Sequence, residues 1–288
     1  MLKMRSKIAL LTIIALIAFS VVGCGTTAQD EEPVKIVYVE WSCATAASHV
    51  VAEVLESEMG YDVELIPVGS NVVIYEALAN RDADVTVCAW LPVTDGEYVE
   101  RHADSLENLG PNMEGAIVGF GVPEYVTIDS VKEMNDYKHK FDQKIVGIEA
   151  GTGIMINAED AIVDYNLDFE LIESSDAGMT AELDRKIARE EWVVITAWSP
   201  HWKFSRFDLK FLDEPKNSFT DEEHIDTIIR KGYGDEQPEV VEFLDNVYFE
   251  TEELARAMDL AQDEGATPVT AAQEWVAENE DIVNSWLQ

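Results

Sequence analysis

The sequence predicts an α/β protein made of two similar lobes that face each other across a cleft. From residue 34 onward, short β-branched runs alternate with helical segments, which is typical of α/β folds with mostly parallel sheet. The order strand, helix, strand, helix, strand occurs twice, and each series ends in Ala-Trp-x-Pro, at residues 89–92 and 197–200. The hydrophobic content of 47% is enough for a large core.

The elements of the first series follow from hydrophobic periodicity and from the residues that end each run. We predict strands at residues 35–41, 63–68 and 84–90, and helices at 44–59 and 72–80. The apolar run 116–123 contains Gly and Pro, and we expect it to cross between the lobes.

The second series repeats this layout. We predict strands at residues 143–148, 169–173 and 191–198, helices at 154–165 and 177–190, a return strand at 225–233, and helices within 239–243 and 251–288. The lobes are then expected at residues 34–120 and 121–235, with C-terminal helices at 236–288.

The first residues have the pattern of an export signal. Lys3, Arg5 and Lys7 precede an apolar run at residues 8–22, which is short for a membrane span. The run ends in Val-Val-Gly-Cys24, which resembles the lipobox of bacterial lipoproteins. We therefore predict a signal peptide at 1–23, a lipid on Cys24 that anchors the chain outside the cell membrane, and a flexible tether at 24–33. The alternatives are a plain secretory signal with an incidental Cys and an uncleaved anchor.

Charge excludes several partners. The net charge of −37 repels nucleic acid and anionic lipid head groups, and we interpret it as adaptation to a salty habitat. Cys43 and Cys88 remain as a pair that could form a disulfide or stay as two buried free thiols.

Three tryptophans are the strongest functional signal. Trp41, Trp90 and Trp198 stand at the C-terminal ends of predicted strands, where α/β sheets bind ligands. Indole faces attract cations, and a weakly hydrated trimethylammonium group can contact three faces at once. Core packing alone is the alternative for each tryptophan taken singly.

A glycine turn offers a second contact. Gly151-Thr152-Gly153-Ile154 joins a predicted strand to a helix, and backbone N–H groups at a helix start can bind a carboxylate. A purely structural turn is the alternative. The sequence has no nucleophile elbow, no zinc-protease motif and no P-loop, so we expect no enzyme, no cofactor and no metal. A cell-surface interaction domain remains as another class.

Several segments carry a resemblance to a known family. The chain resembles the glycine betaine/proline betaine/choline binding proteins of osmoprotectant ABC importers over nearly all of residues 34–288. The resemblance lies in YVEWSCATAASHVVAEVLE, ADVTVCAWLPVTD, GTGIMINAEDAIVDY, AGMTAELDRKIA, ITAWSPHWKFSRFDLKFLDEP and IIRKGY. It implies a two-lobe, type II periplasmic-binding-protein-like fold and docking on an ABC permease with its ATPase subunits.

The resemblance also implies a binding site. Trp41, Trp90 and Trp198 match the positions of a three-Trp box for trimethylammonium, and Gly153 and Ile154 match amides that bind the betaine carboxylate. Where the family has a His that helps to hold the carboxylate, this chain has Asp95. Asp95 then either turns to solvent or indicates a ligand such as choline or carnitine, and an alignment slip is also open. His201 either borders the site or is a satisfied polar residue.

Overall fold

The computed structural model describes residues 32–219 and 223–288. The predicted signal peptide, Cys24 and most of the tether lie outside these residues. The strands are β1 (Val34–Val39), β2 (Val63–Val68), β3 (Val85–Leu91), β4 (Leu106–Pro123), β5 (Lys144–Val146), β6 (Glu170–Ile172), β7 (Ile195–Ser199), β8 (Leu209–Phe211) and β9 (Glu223–Arg230).

Helices connect most of the strands, and a group of helices ends the chain. They are α1 (Ser42–Ser57), α2 (Asn71–Asn80), α3 (Gly96–Arg101), α4 (Gly153–Asp164), α5 (Asp176–Ile187), α6 (Lys203–Arg206), α7 (Tyr233–Glu236), α8 (Pro238–Asn246), α9 (Thr251–Leu260), α10 (Pro268–Glu278) and α11 (Glu280–Trp286), with a 3-10 helix at Val131–Phe141.

The strands pair in the order β2-β1-β3-β9-β4-β7-β5-β6, and β8 pairs with β4. Strand β4 joins two sections, because its residues up to Ala116 pair with β9 and those from Ile117 pair with β7 and β8. We call β1, β2, β3, β9 and residues 106–116 the first section, and residues 117–123 with β5–β8 the second section. The expected crossing at 116–123 therefore begins where β4 changes partner.

The sheet is mixed, whereas the sequence predicted mostly parallel pairing. Strands β1, β2 and β3 pair in parallel, as do β5, β6 and β7. Strand β9 returns late in the chain and enters between β3 and β4, antiparallel to both. It belongs to the first section although residues 223–230 fall in the range expected for the second lobe. The lobe boundaries themselves stay a prediction.

Two strands differ most from their predicted bounds. Strand β4 begins at Leu106, ten residues before the predicted start at 116. The added segment contains Gly110, Pro111 and Gly115, and its pairing with β9 shifts register around these residues, so the irregularities accommodate them. Strand β7 begins at Ile195 rather than at residue 191.

The C-terminal helices cover the first section. Helices α9 and α10 pack against α1. Trp275 of α10 and Trp286 of α11 stack with ring centroids 5.7 Å apart, and both are buried, so they are packing residues. Within the described residues, no helix has the length and apolar character needed to cross a membrane.

Candidate ligand-binding site

The three predicted tryptophans stand where strands end. Trp41 is the N-cap of α1, directly after β1, and Trp90 and Trp198 are the next-to-last residues of β3 and β7. Trp41 and Trp90 come from the first section and Trp198 from the second. Since β1 and β3 run parallel, their C-terminal ends share one edge of the sheet.

One small apolar cavity is lined by all three. The ring centroids of Trp41 and Trp198 are 6.4 Å apart, with the ring planes inclined by 50°. Its lining residues are Trp41, Trp90, Thr94, Val118, Ile148, Ile154 and Trp198. Sequence reasoning missed Thr94, Val118 and Ile148, because apolar and hydroxyl residues next to glycines and prolines have no distinctive pattern.

The indole N–H groups of the three rings are used differently. Trp41 donates its Nε1–H to Glu149 Oε2 at 3.3 Å, which joins the first section to the loop after β5. The Nε1 atoms of Trp90 and Trp198 are buried and have no hydrogen-bond partner among the described residues. A buried donor without a partner carries a desolvation cost.

The glycine turn brings a helix start to the cavity. Helix α4 begins at Gly153, and Ile154 lines the cavity. As the first two residues of the helix, they have N–H groups without a partner inside it. A Cβ built on Gly153 would lie 2.6 Å from Thr94 Cα and 2.8 Å from Thr94 O. The absence of a side chain at position 153 therefore lets the first section approach α4 closely.

Two buried carboxylates fix the segment that follows Trp90. Glu223 accepts hydrogen bonds from Thr94 N at 2.8 Å and from Thr94 Oγ1 at 3.0 Å. Asp95 Oδ2 accepts from Trp90 N at 2.9 Å, and Asp95 Oδ1 accepts from Asn71 Nδ2. These bonds hold Thr94 at the cavity wall.

Asp95 does not turn to solvent, which was one of its expected alternatives. It is 1% exposed, and it does not line the cavity. Burial raises the pKa of its carboxyl to about 7, against the lowering effect of the hydrogen bonds from Asn71 and the Trp90 amide. Asp95 thus holds the segment that carries Trp90 and Thr94 by a hydrogen bond, and it contributes no charge to the cavity wall.

A polar network joins the sections beside the cavity. Asp176 Oδ2 accepts from Ser42 N at 3.0 Å and from Ser42 Oγ at 2.7 Å, and Trp202 Nε1 donates to Ser42 Oγ at 3.1 Å. Ser42 directly follows Trp41, close to β1 of the first section. Asp176 and Trp202 stand before and after β7, a strand of the second section. The network therefore holds the neighbourhood of Trp41 against that of Trp198.

His201 is part of this network and does not line the cavity. Its Nε2 lies 2.9 Å from Asp176 Oδ1, its Nδ1 accepts from Lys203 N, and its ring meets Trp198 edge-on at 4.8 Å. Burial lowers the pKa of His201 to about 4, with a further contribution from Lys203, so the ring is neutral near pH 7. Both ring nitrogens of His201 therefore have hydrogen-bond partners.

Lys203 is the most unusual residue near the site. Its side chain is fully buried, and its Nζ has no hydrogen-bond partner among the described residues. The Nζ atom lies 3.8 Å from the ring centroid of Trp198. Lys203 does not line the cavity. Its amine therefore contacts the ring of Trp198 without forming part of the cavity wall.

The two cysteines are free and buried, and their sulfur atoms are 3.9 Å apart. The structure therefore matches the interpretation of Cys43 and Cys88 as two small buried thiols. Trp192 packs with Tyr137 and Phe141 and does not line the cavity.

Comparison with known proteins gives the family. Residues 32–278 match the family described as the substrate binding domain of ABC-type glycine betaine transport system. A glycine betaine/carnitine transport binding protein, GbuC of Listeria monocytogenes, is 40% identical over 154 residues, which are 52% of this chain and 51% of that protein. The match thus spans about half the length of this relative.

Solved structures cover more of the chain. Lactococcal OpuAC, in a closed conformation complexed with glycine betaine, matches with a TM-score of 0.83 and 35% identity over 89% of this chain and 99% of that one. A choline binding protein in complex with choline matches with a TM-score of 0.79 and 28% identity over 88% and 91% of the two chains. The fold is thus the mixed α/β, periplasmic-binding-protein-like fold, and the chain belongs to the family of substrate-binding domains of ABC-type glycine betaine transport systems.

Proposed function

We propose that this protein captures glycine betaine, or a closely related quaternary-ammonium solute, and delivers it to an ABC importer for osmoprotection. The observation that carries the proposal is the cavity in which three indoles from both sections meet beside a helix start. The family consists of transporter substrate-binding domains and not of enzymes.

The indoles suit the cationic end of such a solute. A trimethylammonium group has no hydrogen-bond donors and is attracted to the negative faces of aromatic rings. Each face contributes roughly 0.5–2 kcal/mol, so three faces together with one further contact support micromolar binding. Trp41, Trp90 and Trp198 are each at least 95% buried, so little water competes for these faces.

The start of α4 suits the anionic end. The free N–H groups of Gly153 and Ile154 point outward from a helix of 12 residues, whose dipole favours negative charge at this end. Glycine betaine has a carboxylate to place there. Its cation is then left to the indoles, away from the positive end of the helix.

Choline or carnitine is the second candidate. None of the described residues that line the cavity is charged, and Asp95 replaces the His expected from the resemblance. A ligand that needs no charged side chain as a partner could bind in such a cavity. Choline, however, has a hydroxyl in place of the carboxylate and gains less from the helix start than a betaine does.

Location and partners are proposed from the sequence. Cleavage at residue 23 and a lipid on Cys24 would hold the protein at the outer face of the cell membrane, where it can dock on an ABC permease with its ATPase subunits. The net charge of −37 supports a salty habitat, in which osmoprotection is needed.

Titration of the mature domain by isothermal calorimetry tests the proposal. Glycine betaine, proline betaine, carnitine and choline are compared at high salt, with proline as a control that lacks a quaternary ammonium group. We expect micromolar affinity for a betaine, weaker affinity for choline and no measurable heat with proline. Choline or carnitine as the tightest ligand would replace betaine with the second candidate, and no binding of any of the four would overturn the proposal.

A further inference from the structure

Lys203 places its amine on the indole of Trp198, one of the three tryptophans (Trp41, Trp90 and Trp198) that line the cavity and that we call the cage. Its Nζ lies 3.8 Å from the ring centroid of Trp198, which is within the range of a strong cation–π contact. Its side chain is fully buried, and among the described residues no acceptor is bonded to Nζ. The indole of Trp198 is therefore the main partner of this amine.

The surroundings of Lys203 leave its charge only partly balanced. Asp176 of α5 and Cys43 of α1 favour the protonated amine, and His201 on its own segment is neutral near pH 7. Burial acts in the opposite direction and dominates, so that the pKa of Lys203 falls to about 7. Asp176 forms no ion pair with Lys203, and its carboxylate oxygens are bonded to Ser42 and His201 instead.

We propose that Lys203 sets the affinity of the cage through Trp198, because its ammonium and the quaternary ammonium of the ligand compete for the same indole. The inference rests on the proposed function. Lys203 does not line the cavity, so its ammonium contacts Trp198 outside the space that the ligand would occupy, and the two positive charges would repel each other at short range. The neutral amine removes both the repulsion and the competition for π electron density.

Ligand binding is then coupled to the protonation of Lys203. Ligand binding favours the neutral form of Lys203, so the protein releases a proton when it binds near neutral pH, and the affinity rises with pH. The carboxylate of glycine betaine stays ionised over this range and does not contribute. Asp95 also titrates near pH 7, but it contacts the Trp90 segment rather than Trp198.

Two substitutions separate charge from packing. Lys203→Met keeps a long apolar chain without the charge, and Lys203→Arg keeps the charge at every pH tested. Lys140→Met is the matched control, because Lys140 Nζ lies 4.1 Å over the ring of Trp192, which is far from the cavity. An Asp95→Asn background removes a second buried group near the cavity, whose pKa is raised to about 7.

Calorimetric titration with glycine betaine at about pH 6 and about pH 9, in two buffers of different ionisation enthalpy, is the test. We expect the wild type to gain affinity with pH and to release protons, and Lys203→Met to bind about tenfold more tightly at the lower pH with little pH dependence. Lys203→Arg should stay weak at both values, and Lys140→Met should match the wild type.

The outcomes distinguish this inference from the proposed function. Equal affinity of the wild type and Lys203→Met at the lower pH, or a pH dependence that survives in Lys203→Met in the Asp95→Asn background, overturns the role of Lys203 while the betaine site stands. A wild type that binds no quaternary ammonium overturns the proposed function and this inference with it. Thermal melts of each variant confirm that it is folded.

Discussion

The ring of Trp41, which follows a strand of the first section, lies with its centroid 6.4 Å from that of Trp198, which ends a strand of the second section. The cavity between them is therefore assembled from parts that are far apart in sequence. A ligand that touches both rings stabilises the arrangement in which the sections meet, and this is the energetic basis for capture by closure.

Gly153 is a point of close approach between α4 and Thr94 at the cavity. A Cβ at this position would lie within 3 Å of three atoms of Thr94, two of them backbone atoms that cannot turn away. We expect Gly153→Ala to weaken betaine binding by about tenfold or more, since the sections would be held apart. Calorimetric titration measures the change.

Gly69→Ala is the matched control, because a Cβ there meets no atom within 4 Å. It should bind like the wild type. If Gly153→Ala binds betaine as tightly as Gly69→Ala, the close approach of Thr94 to α4 is not required for binding.

The contact of Asp176 with Ser42 is a second link between the sections. Asp176→Ala removes the acceptor of two hydrogen bonds from Ser42, at 3.0 Å and 2.7 Å. Hydrogen bonds to a charged group contribute about 1.5–3 kcal/mol, so we expect betaine affinity to fall by about tenfold or more. Asp184→Ala, on the exposed side of the same helix, should leave it unchanged. A loss of thermal stability without a loss of affinity would show that Asp176 only supports the fold.

Asp95 gives a pH dependence of stability with a defined sign. Its pKa is raised from 3.8 to about 7 when the chain folds, so the folded state binds more protons than the unfolded state in this interval. The contribution of Asp95 to the free energy of unfolding is fully present below about pH 4. It is lost as the pH rises to about 7, and the loss amounts to at most about 4 kcal/mol. Asp95→Asn cannot ionise and should lose this dependence.

Urea denaturation of both proteins across this interval measures the effect as a difference, in which the other acidic residues cancel. The free energy of unfolding of the wild type should fall relative to that of Asp95→Asn as the pH rises. Parallel curves for the two proteins would mean that Asp95 is ionised in the folded state at little cost.

Replacement of Asp95 by His tests its placement directly. Asp95 is fixed by Asn71 and the Trp90 amide and does not face the cavity. A larger imidazole has no room to reach a bound carboxylate from there, so we expect Asp95→His to lower thermal stability without tightening betaine binding. Tighter binding would mean that position 95 lies beside the carboxylate in the bound protein.

Much of the local structure could be predicted from sequence because it depends on local patterns. The β-branched run at 63–68 is the observed β2 to the residue, and the three tryptophans at strand ends do line one cavity. Both depend on the period of side chains along a strand and on where the strand stops.

The contacts between distant segments could not be predicted. Asp176 has the surroundings of an ordinary helix-start acid, and nothing in its segment indicates that its partner is Ser42. Lys203 stands between Trp202 and Phe204 in a sequence that looks amphipathic, yet tertiary packing buries it completely. The antiparallel entry of β9 between β3 and β4 is likewise a matter of topology, for which periodicity gives no signal.

The three-tryptophan cage is the central claim, and single replacements of its members test it most directly. Glycine betaine is titrated calorimetrically into the wild type, into Trp41→Ala, Trp90→Ala and Trp198→Ala, and into Trp192→Phe as a control outside the cavity. Each cage variant should bind about tenfold more weakly or worse, and the control should bind like the wild type. Unchanged affinity of a folded Trp90→Ala variant would contradict the cage.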